Sequence, residues 1–136
     1  MKKILIILII LVVGFFVADY IMSPSKISYN GNVLNAESPI KDDNEYLIPA
    51  KSVLQGIFGV EVSYNIYDKY VKAEIKGEEV LITAGTDTIS IGKKEIEFDS
   101  SSIIENNVLY MPAEYLEAFN LNYSYNSFAK TLEITD

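Results

Sequence analysis

The chain has 136 residues, the size of a single domain, and 49% of them are hydrophobic, enough for one packed core. It has no histidine and no cysteine, which excludes disulfides, thiolate metal sites and serine or cysteine nucleophiles that depend on a histidine base. Its net charge of -8, with 19 acidic residues against 11 basic ones, disfavours nucleic acid as a partner.

The chain begins with an apolar run. Residues from Ile4 to Ala18 are almost all aliphatic or aromatic and follow Lys2 and Lys3, which is the pattern of an export signal. The run continues to Met22 with one charge, so it reaches the ~20 residues that a membrane-spanning helix needs. The sequence therefore predicts an N-terminal hydrophobic helix over residues 1–23.

This segment has two possible fates. A cleavage site needs small residues at two alternate positions, and Phe16-Val17-Ala18 supplies only one. An uncleaved membrane anchor is the preferred interpretation, and a cleaved signal peptide is the alternative. Because the N-terminal lysines stay in the cytoplasm, we expect a short linker at residues 24–26 and an extracytoplasmic domain at residues 27–136.

One stretch of the domain occurs twice. Residues 38–50 (SPIKDDNEYLIPA) match residues 101–113 (SSIIENNVLYMPA) without a gap. Each copy passes through an acidic or amide turn into an apolar triplet and then Pro-Ala, which is typical of a strand that leads into a helix. The match extends upstream, where the hairpin signal Asn30-Gly31 has a counterpart in residues 89–98.

A short amphipathic helix is predicted after each Pro-Ala. In the first copy, apolar residues recur at three- and four-residue steps up to Gly59, namely Val53, Leu54, Ile57 and Phe58. In the second copy, the predicted buried face is Tyr115, Leu116 and Phe119. Helices of about nine residues are marginal alone, so each needs a sheet to pack on.

After each helix, apolar and polar residues alternate with a period of two, which predicts a strand. A second predicted strand follows it and forms a hairpin with it. The offset between copies is 63 residues at the prolines and 61 residues at Tyr64 and Tyr125. We therefore predict an α+β fold of two tandem repeats, residues 27–83 and 84–136, each an antiparallel β-sheet packed on one short α-helix.

This pattern resembles the copper amine oxidase N-terminal domain-like family, also called stalk domains, over about residues 27–134. The residues that carry the resemblance are Asn30-Gly31, Leu47-Ile48-Pro49-Ala50-Lys51, Gly59, Val62-Ser63-Tyr64-Asn65, Lys69-Tyr70-Val71, Leu109-Tyr110-Met111-Pro112-Ala113, Tyr123-Ser124-Tyr125-Asn126 and Lys130-Thr131-Leu132. The chain departs from the family where Leu-Arg usually follows the proline, and it has Tyr where the family favours Trp.

The resemblance implies a sheet wrapped on a helix in each half. It also implies export in bacteria of the Gram-positive type, often as an appendage to enzymes or wall-binding modules. It does not imply copper, because in the amine oxidases the metal lies in a separate catalytic domain. The absence of histidine agrees with this, since copper sites are built largely from imidazole.

Tyrosines are abundant in the domain, and an exposed row of aromatic residues could hold a sugar or a peptide. Strand parity predicts a core position for Tyr64, Tyr115, Tyr123 and Tyr125. It predicts at least partial exposure near hairpin ends for Tyr67, Tyr70 and Phe128. Simple edge packing is the competing interpretation of these exposed rings.

The exposed residues that differ between the copies are the other candidates. Lys51 occupies the position of Glu114, and residues 43–45 (DNE) correspond to residues 106–108 (NNV). The predicted partner-binding surface therefore consists of Tyr67, Tyr70, Phe128, Lys51 and Glu114.

No catalytic, cofactor-binding or metal-binding residue is predicted. Glu105 and Glu114 would be a carboxylate pair for glycan hydrolysis only across a deep cleft. The acidic residues 42–45 lack the spacing and the glycine of a calcium loop, so we interpret them as a solvated turn.

We expect a non-catalytic cell-surface module, acting as a spacer or as an adhesion or wall-associated domain, with cell-wall glycan or another exported protein as partner. The alternative is an inhibitor or regulator of another exported protein, which would show one concentrated apolar patch. A carboxylate-based glycan hydrolase is a remote alternative.

Overall fold

The computed structural model describes residues 24–136, and the predicted anchor or signal at residues 1–23 lies outside the described part. The fold is mostly β-sheet. The strands are β1 Lys26–Tyr29, β2 Asn32–Val33, β3 Ile40–Asp42, β4 Glu45–Pro49, β5 Val62–Asn65, β6 Tyr70–Ile75, β7 Glu78–Thr83, β8 Thr88–Ile91, β9 Lys94–Glu97, β10 Ile103–Glu105, β11 Val108–Pro112, β12 Asn122–Asn126 and β13 Thr131–Thr135. Between Pro24 and Asp136, no helix is long and apolar enough to cross a membrane.

Three sheets contain these strands, in the orders β12-β13-β1-β2, β10-β11-β4-β3 and β5-β6-β7-β8-β9. Each sheet takes strands from both residues 27–83 and residues 84–136. The prediction of a separate sheet for each half is therefore wrong. The physical reason is that a hairpin leaves an edge of unpaired backbone groups, and in each sheet one such edge is paired with a strand of the other half: β1 with β13, β4 with β11 and β7 with β8.

The pairing is antiparallel except between β1 and β13, which run parallel with Lys26 opposite Thr131. The prediction of purely antiparallel sheets is wrong at this pair. A hairpin forces its strands to run antiparallel, whereas β1 and β13 come from opposite ends of the domain and have no such constraint.

The central sheet joins the two copies of the repeated stretch directly. Strands β4 and β11 pair antiparallel, so that Ile48 lies opposite Met111, its own counterpart at the 63-residue offset. Both side chains are fully buried. The two Pro-Ala junctions thus start from one shared strand pair, and each leads into a helix.

The first helix, α1, spans Ala50–Phe58 and buries Ala50, Val53 and Leu54, as its 3.6-residue pattern predicts. It ends at Gly59, whose φ of 64° is left-handed and favours glycine. Of the predicted buried face, Val53 and Leu54 are buried, whereas the last two residues of the helix are half-buried.

The second helix, η1, spans Ala113–Phe119 and is a 3₁₀ helix, which corrects the prediction of a second α-helix. Its inward residues Ala113, Leu116 and Phe119 follow a step of three, which matches the three residues per turn of this helix type. Asn120 ends it with a φ of 60° in place of glycine. The two helices meet where the rings of Phe58 and Phe119 lie 5.2 Å apart.

The predicted core tyrosines divide into two groups. Tyr115 is fully buried, and its ring packs 4.8 Å from that of Phe98. Tyr64, Tyr123 and Tyr125 are only half-buried, although all three pack against the core. They fall short of full burial because their strands, β5 and β12, form sheet edges that solvent reaches from one side.

The residues predicted as a linker contact the domain. Pro24 is buried, and the backbone N–H groups of Ser25 and Lys26 both donate to the carbonyl of Lys130, at 2.9 and 3.2 Å. Lys26 already belongs to β1. The chain is therefore attached to the sheet from Ser25 onwards.

Candidate functional site

Two β-hairpin tips display aromatic side chains to solvent. The first, Ile66–Lys69, joins β5 to β6, and the second, Ser127–Lys130, joins β12 to β13. We call them the Tyr67 tip and the Phe128 tip. Tyr67 is 91% exposed and Phe128 is 100% exposed, so neither ring contributes to the core.

The same hydrogen bonds hold both tips. The Oδ1 atom of Asn65 accepts the backbone N–H groups of Tyr67 and Asp68, at 3.0 and 2.9 Å. The Oδ1 atom of Asn126 accepts the equivalent two N–H groups of the Phe128 tip, at 3.1 and 3.2 Å. Each asparagine therefore makes an Asx turn, and the turn presents the ring outwards in a defined conformation.

A groove of about 350 Å³ lies beside the Tyr67 tip. Its lining residues are Ser63, Tyr64, Asn65, Ile66, Tyr67 and Tyr70. The Nδ2 atom of Asn65 donates to the Tyr70 hydroxyl at 3.3 Å, which orients that ring. The groove is shallow and open to solvent, and it combines aromatic faces with amide and hydroxyl groups.

A wider depression of about 610 Å³ lies on the solvent face of β5, β6 and β7, and charged side chains dominate its lining. Lys72 and Glu79 form an ion pair across it at 3.5 Å. Both side chains are more than 40% exposed, so the pair contributes little to stability. We interpret this depression as a solvated sheet face.

Two small clefts contain the charged residues that differ between the copies. Each lies between the helix start of one half and the hairpin turn of the other. The Lys51 cleft, of about 130 Å³, is formed by residues that include Pro49, Lys51, Tyr64 and Asn107. The Glu114 cleft, of about 170 Å³, is formed by residues that include Asn44, Glu45, Pro112, Glu114 and Tyr123.

The Glu114 cleft concentrates negative charge. Burial raises the pKa of Glu114, and the nearby Asp99 and Glu45 raise it further, although the N–H of Ser100 donates to its Oε1 at 3.2 Å and opposes this effect. The hydroxyl of Ser100 donates to Glu45. Glu114 is thus grouped with Glu45, whereas Glu105, the partner considered from the sequence, is not among the carboxylates that shift its pKa.

The Lys51 cleft has a different polarity. The hydroxyl of Ser52 donates to the carboxylate of Glu37 at 2.7 Å. The hydroxyl oxygen of Tyr64 is buried and has no hydrogen-bond partner among residues 24–136. Because an unpaired buried hydroxyl is costly, a polar group that entered this cleft would find a partner there.

The five predicted site residues do not form one site. Tyr67 and Tyr70 line one groove, Phe128 lies alone on the other tip, and Lys51 and Glu114 lie in separate clefts. Sequence reasoning missed Asn65 and Asn126, which shape the tips. Their signal was present, since each asparagine ends an alternating strand and stands directly before a predicted hairpin turn, where Asn side chains commonly accept backbone N–H groups.

The residues present do not fit a copper site. The sequence has no histidine or cysteine, and in the described part, residues 24–136, no three acidic side chains come together as metal ligands. No chemistry through a metal is therefore derived for this chain.

A comparison with protein families identifies one match. The family model described as copper amine oxidase N-terminal domain matches residues 28–134, which is most of the chain. No curated protein and no solved structure matches the chain.

Proposed function

The chain belongs to the copper amine oxidase N-terminal domain family, and we propose that it acts as a surface module held outside the cytoplasmic membrane. This family is a non-catalytic, stalk-like one. The support for the location is the apolar run behind Lys2 and Lys3. In this role, the domain is a spacer that also contacts the cell wall or another exported protein.

We also infer that residues 27–83 and 84–136 are two copies of one unit whose hairpins have been exchanged between the halves. The support is the 13-residue match in the sequence, the pairing of Ile48 with its counterpart Met111, and the two Asx turns at equivalent positions. Exchange of hairpins makes the halves interdependent and suits a module that must stay folded without disulfides.

The proposed contact surface is the groove of the Tyr67 tip. The observation that carries this proposal is that Tyr67, Tyr70 and Asn65 line one groove. A sugar ring would stack on the exposed face of Tyr67, while the Tyr70 hydroxyl, which Asn65 orients, would hydrogen-bond its hydroxyl groups. Cell-wall glycan is therefore the preferred ligand, and a peptide segment of an exported protein is the second.

The regulator alternative predicts one concentrated apolar patch. In the described part of the chain, the exposed large apolar residues are Val33, Ile66, Tyr67, Ile103 and Phe128. They are distributed over elements of all three sheets, which favours the spacer and adhesion role over a dedicated inhibitor surface.

The test is co-sedimentation of the full-length protein, in detergent, with purified cell wall. Loss of a stacked ring weakens binding by about 0.5–1.5 kcal/mol, or roughly 2- to 12-fold, so Tyr67→Ser should reduce the bound fraction. Phe128→Ser is the matched control, because Phe128 occupies the equivalent turn without this groove. Equal loss in both variants, or loss in neither, would contradict the proposed glycan surface.

The tether needs its own measurement. We expect full-length protein of unchanged mass in the membrane fraction of expressing cells. Recovery of a shortened protein from the medium would show that residues 1–23 are a cleaved signal.

A further inference from the structure

The Phe128 tip has no apolar neighbour to cover its ring. Phe128 is 100% exposed although its backbone is held by Asn126, so the exposure belongs to an ordered turn. A fully exposed aromatic ring on an ordered turn can enter an apolar layer without any rearrangement of the domain, and this burial would be favourable. The neighbouring residues Ser127 and Ala129 carry no charge, so the tip is free of acidic groups.

The position of this tip relative to the chain start identifies what it meets. Because β1 and β13 are parallel, the start of β1 lies beside the start of β13, which directly follows the tip. The carbonyl of Lys130 accepts three hydrogen bonds from this chain start, from the N–H and hydroxyl of Ser25 and the N–H of Lys26. Residues 1–23 therefore join the domain beside Phe128, and a membrane that held these residues would lie close to that ring.

The distance is short compared with the thickness of a membrane interface. Three peptide units separate Met22, the end of the apolar run, from Ser25, and they span at most about 11 Å. The headgroup layer on each side of a bilayer is roughly 5 to 8 Å deep. A domain tethered through residues 1–23 cannot move its Ser25–Lys130 end far from that layer.

We propose that the Phe128 tip docks into the lipid interface of the membrane that holds the chain, with the aromatic ring among the headgroups. This inference rests on the tether proposed above. Phe is one of the apolar side chains that interfacial elements bury at the boundary between the headgroups and the acyl chains. Docking fixes the orientation of the domain, so that the end of the sheet with Asp136, which accepts the Tyr29 hydroxyl at 2.6 Å, points away from the membrane.

The ring, and not charge, supplies the attraction. Once Lys2, Lys3 and Asp19 are set aside, the domain retains 9 lysines against 18 acidic residues. An acidic domain is repelled by anionic lipids. Docking through an apolar ring therefore needs no anionic lipid, and neutral lipids should support it at least as well.

The experiment exploits the absence of tryptophan from the chain. Full-length Phe128→Trp and Tyr67→Trp variants are placed in zwitterionic nanodiscs, with intact mass confirmed. Some nanodiscs also contain lipids with a quencher near the headgroup. We expect the emission of Phe128→Trp to shift to shorter wavelength and to be quenched by these lipids. Tyr67→Trp lies on the equivalent turn, where the carbonyl of Lys69 accepts the N–H of Ala84 and not a group of the Ser25–Lys26 segment. It should emit as in water and resist this quenching.

Retention of the protein on the nanodisc without quenching at position 128 would overturn the inference and leave the tether intact. Equal quenching at positions 67 and 128 would overturn it as well, because the docking would then not be specific to this tip. Loss of the intact full-length chain from the nanodisc fraction would refute both the tether and the docking. Quenching that appears only with anionic lipids would refute the apolar mechanism.

Discussion

Residues 40–75 and 103–135 run through the same order of elements, yet the helices that follow their Pro-Ala junctions differ in type and in the positions that they bury. At the 63-residue offset, Ser52 of α1 and Tyr115 of η1 are equivalent. Ser52 lies at the surface and donates to Glu37, whereas Tyr115 is fully buried and its hydroxyl donates to the carbonyl of Thr86 at 3.1 Å. Because η1 turns by about 120° per residue and α1 by about 100°, the two side chains leave their helices in different directions.

The two hairpin tips show the opposite relation, because their backbones agree and their side chains differ. Both are Asx turns with an exposed ring, but the Tyr67 tip carries the acidic Asp68 and borders a groove, whereas the Phe128 tip has no acidic residue and lies beside Ser25. The two tips share one turn geometry but present side chains of different chemistry, so the turn itself does not specify the partner.

The largest expected effect on stability distinguishes η1 from α1. Tyr115→Ala removes a fully buried ring and should lower the free energy of unfolding by about 3–5 kcal/mol. Ser52→Ala, at the equivalent position, should cost about 1 kcal/mol or less, because it removes one exposed hydrogen bond. Urea unfolding followed by circular dichroism measures both. Similar losses in the two variants would show that the helices bury these positions alike.

A smaller effect tests the equivalence of the tips. Asn65→Ala and Asn126→Ala each remove the acceptor of two backbone N–H groups, and each should lower the free energy of unfolding by about 1–2 kcal/mol. The corresponding Asn→Asp variants keep an acceptor oxygen and serve as controls in the same urea titration. If one alanine variant were neutral, the two turns would differ in the role of the asparagine.

The Tyr115 hydroxyl gives the next effect. Tyr115→Phe should cost about 1 kcal/mol at pH 7, since it deletes the bond to Thr86. Burial, with a contribution from the charge of Asp87, raises the pKa of Tyr115 to about 12. The unfolded chain ionises first, near pH 10, so this stability is present below that pH and is lost as the pH rises towards 12.

The measurement is a set of denaturant titrations from pH 8 to pH 11.5. Other tyrosines, including Tyr110 and Tyr123, also have raised pKa values, so the difference between wild type and variant isolates Tyr115. The difference in the free energy of unfolding between wild type and Tyr115→Phe should decrease above pH 10 by up to about 1.4 kcal/mol per pH unit. A constant gap would mean that Tyr115 ionises as easily when folded as when unfolded.

The smallest effect compares the clefts. The raised pKa of Glu114 means that the folded chain holds its proton more tightly than the unfolded chain, so the ionised carboxylate is a cost at pH 7. Glu114→Gln keeps an oxygen for the Ser100 N–H and should increase stability at pH 7 by less than about 1 kcal/mol. The increase should become smaller towards pH 4, where the carboxyl group is mostly protonated in both states.

Lys51→Gln is the matched control in the other cleft. This substitution replaces no carboxyl group, so its effect should change less between the two pH values than that of Glu114→Gln. A gain for Glu114→Gln that persists at pH 4 would show that shape, and not charge, causes it.

Much of the architecture could be predicted from local pattern. The strands, the Pro-Ala junctions, α1 and the exposure of Tyr67 and Phe128 follow from periodicity and turn residues. The step of three residues between Ala113, Leu116 and Phe119 agrees with the 3₁₀ type of η1. A pattern this short fits both helix types, so it did not predict which one forms. The groove at Tyr67 was predicted only as a pair of exposed rings, because its walls come from strand pairing.

What the sequence by itself determined is therefore local: where strands begin and end, which turns need an Asn or Gly, and which faces are apolar. The tertiary structure alone decided which hairpins pair, that β1 joins β13 in parallel, and that Ser25 lies beside the Phe128 tip. The physical reason is that periodicity reports burial of a residue but not the identity of its neighbour. Backbone hydrogen bonds between strands distant in the chain form wherever complementary edges meet.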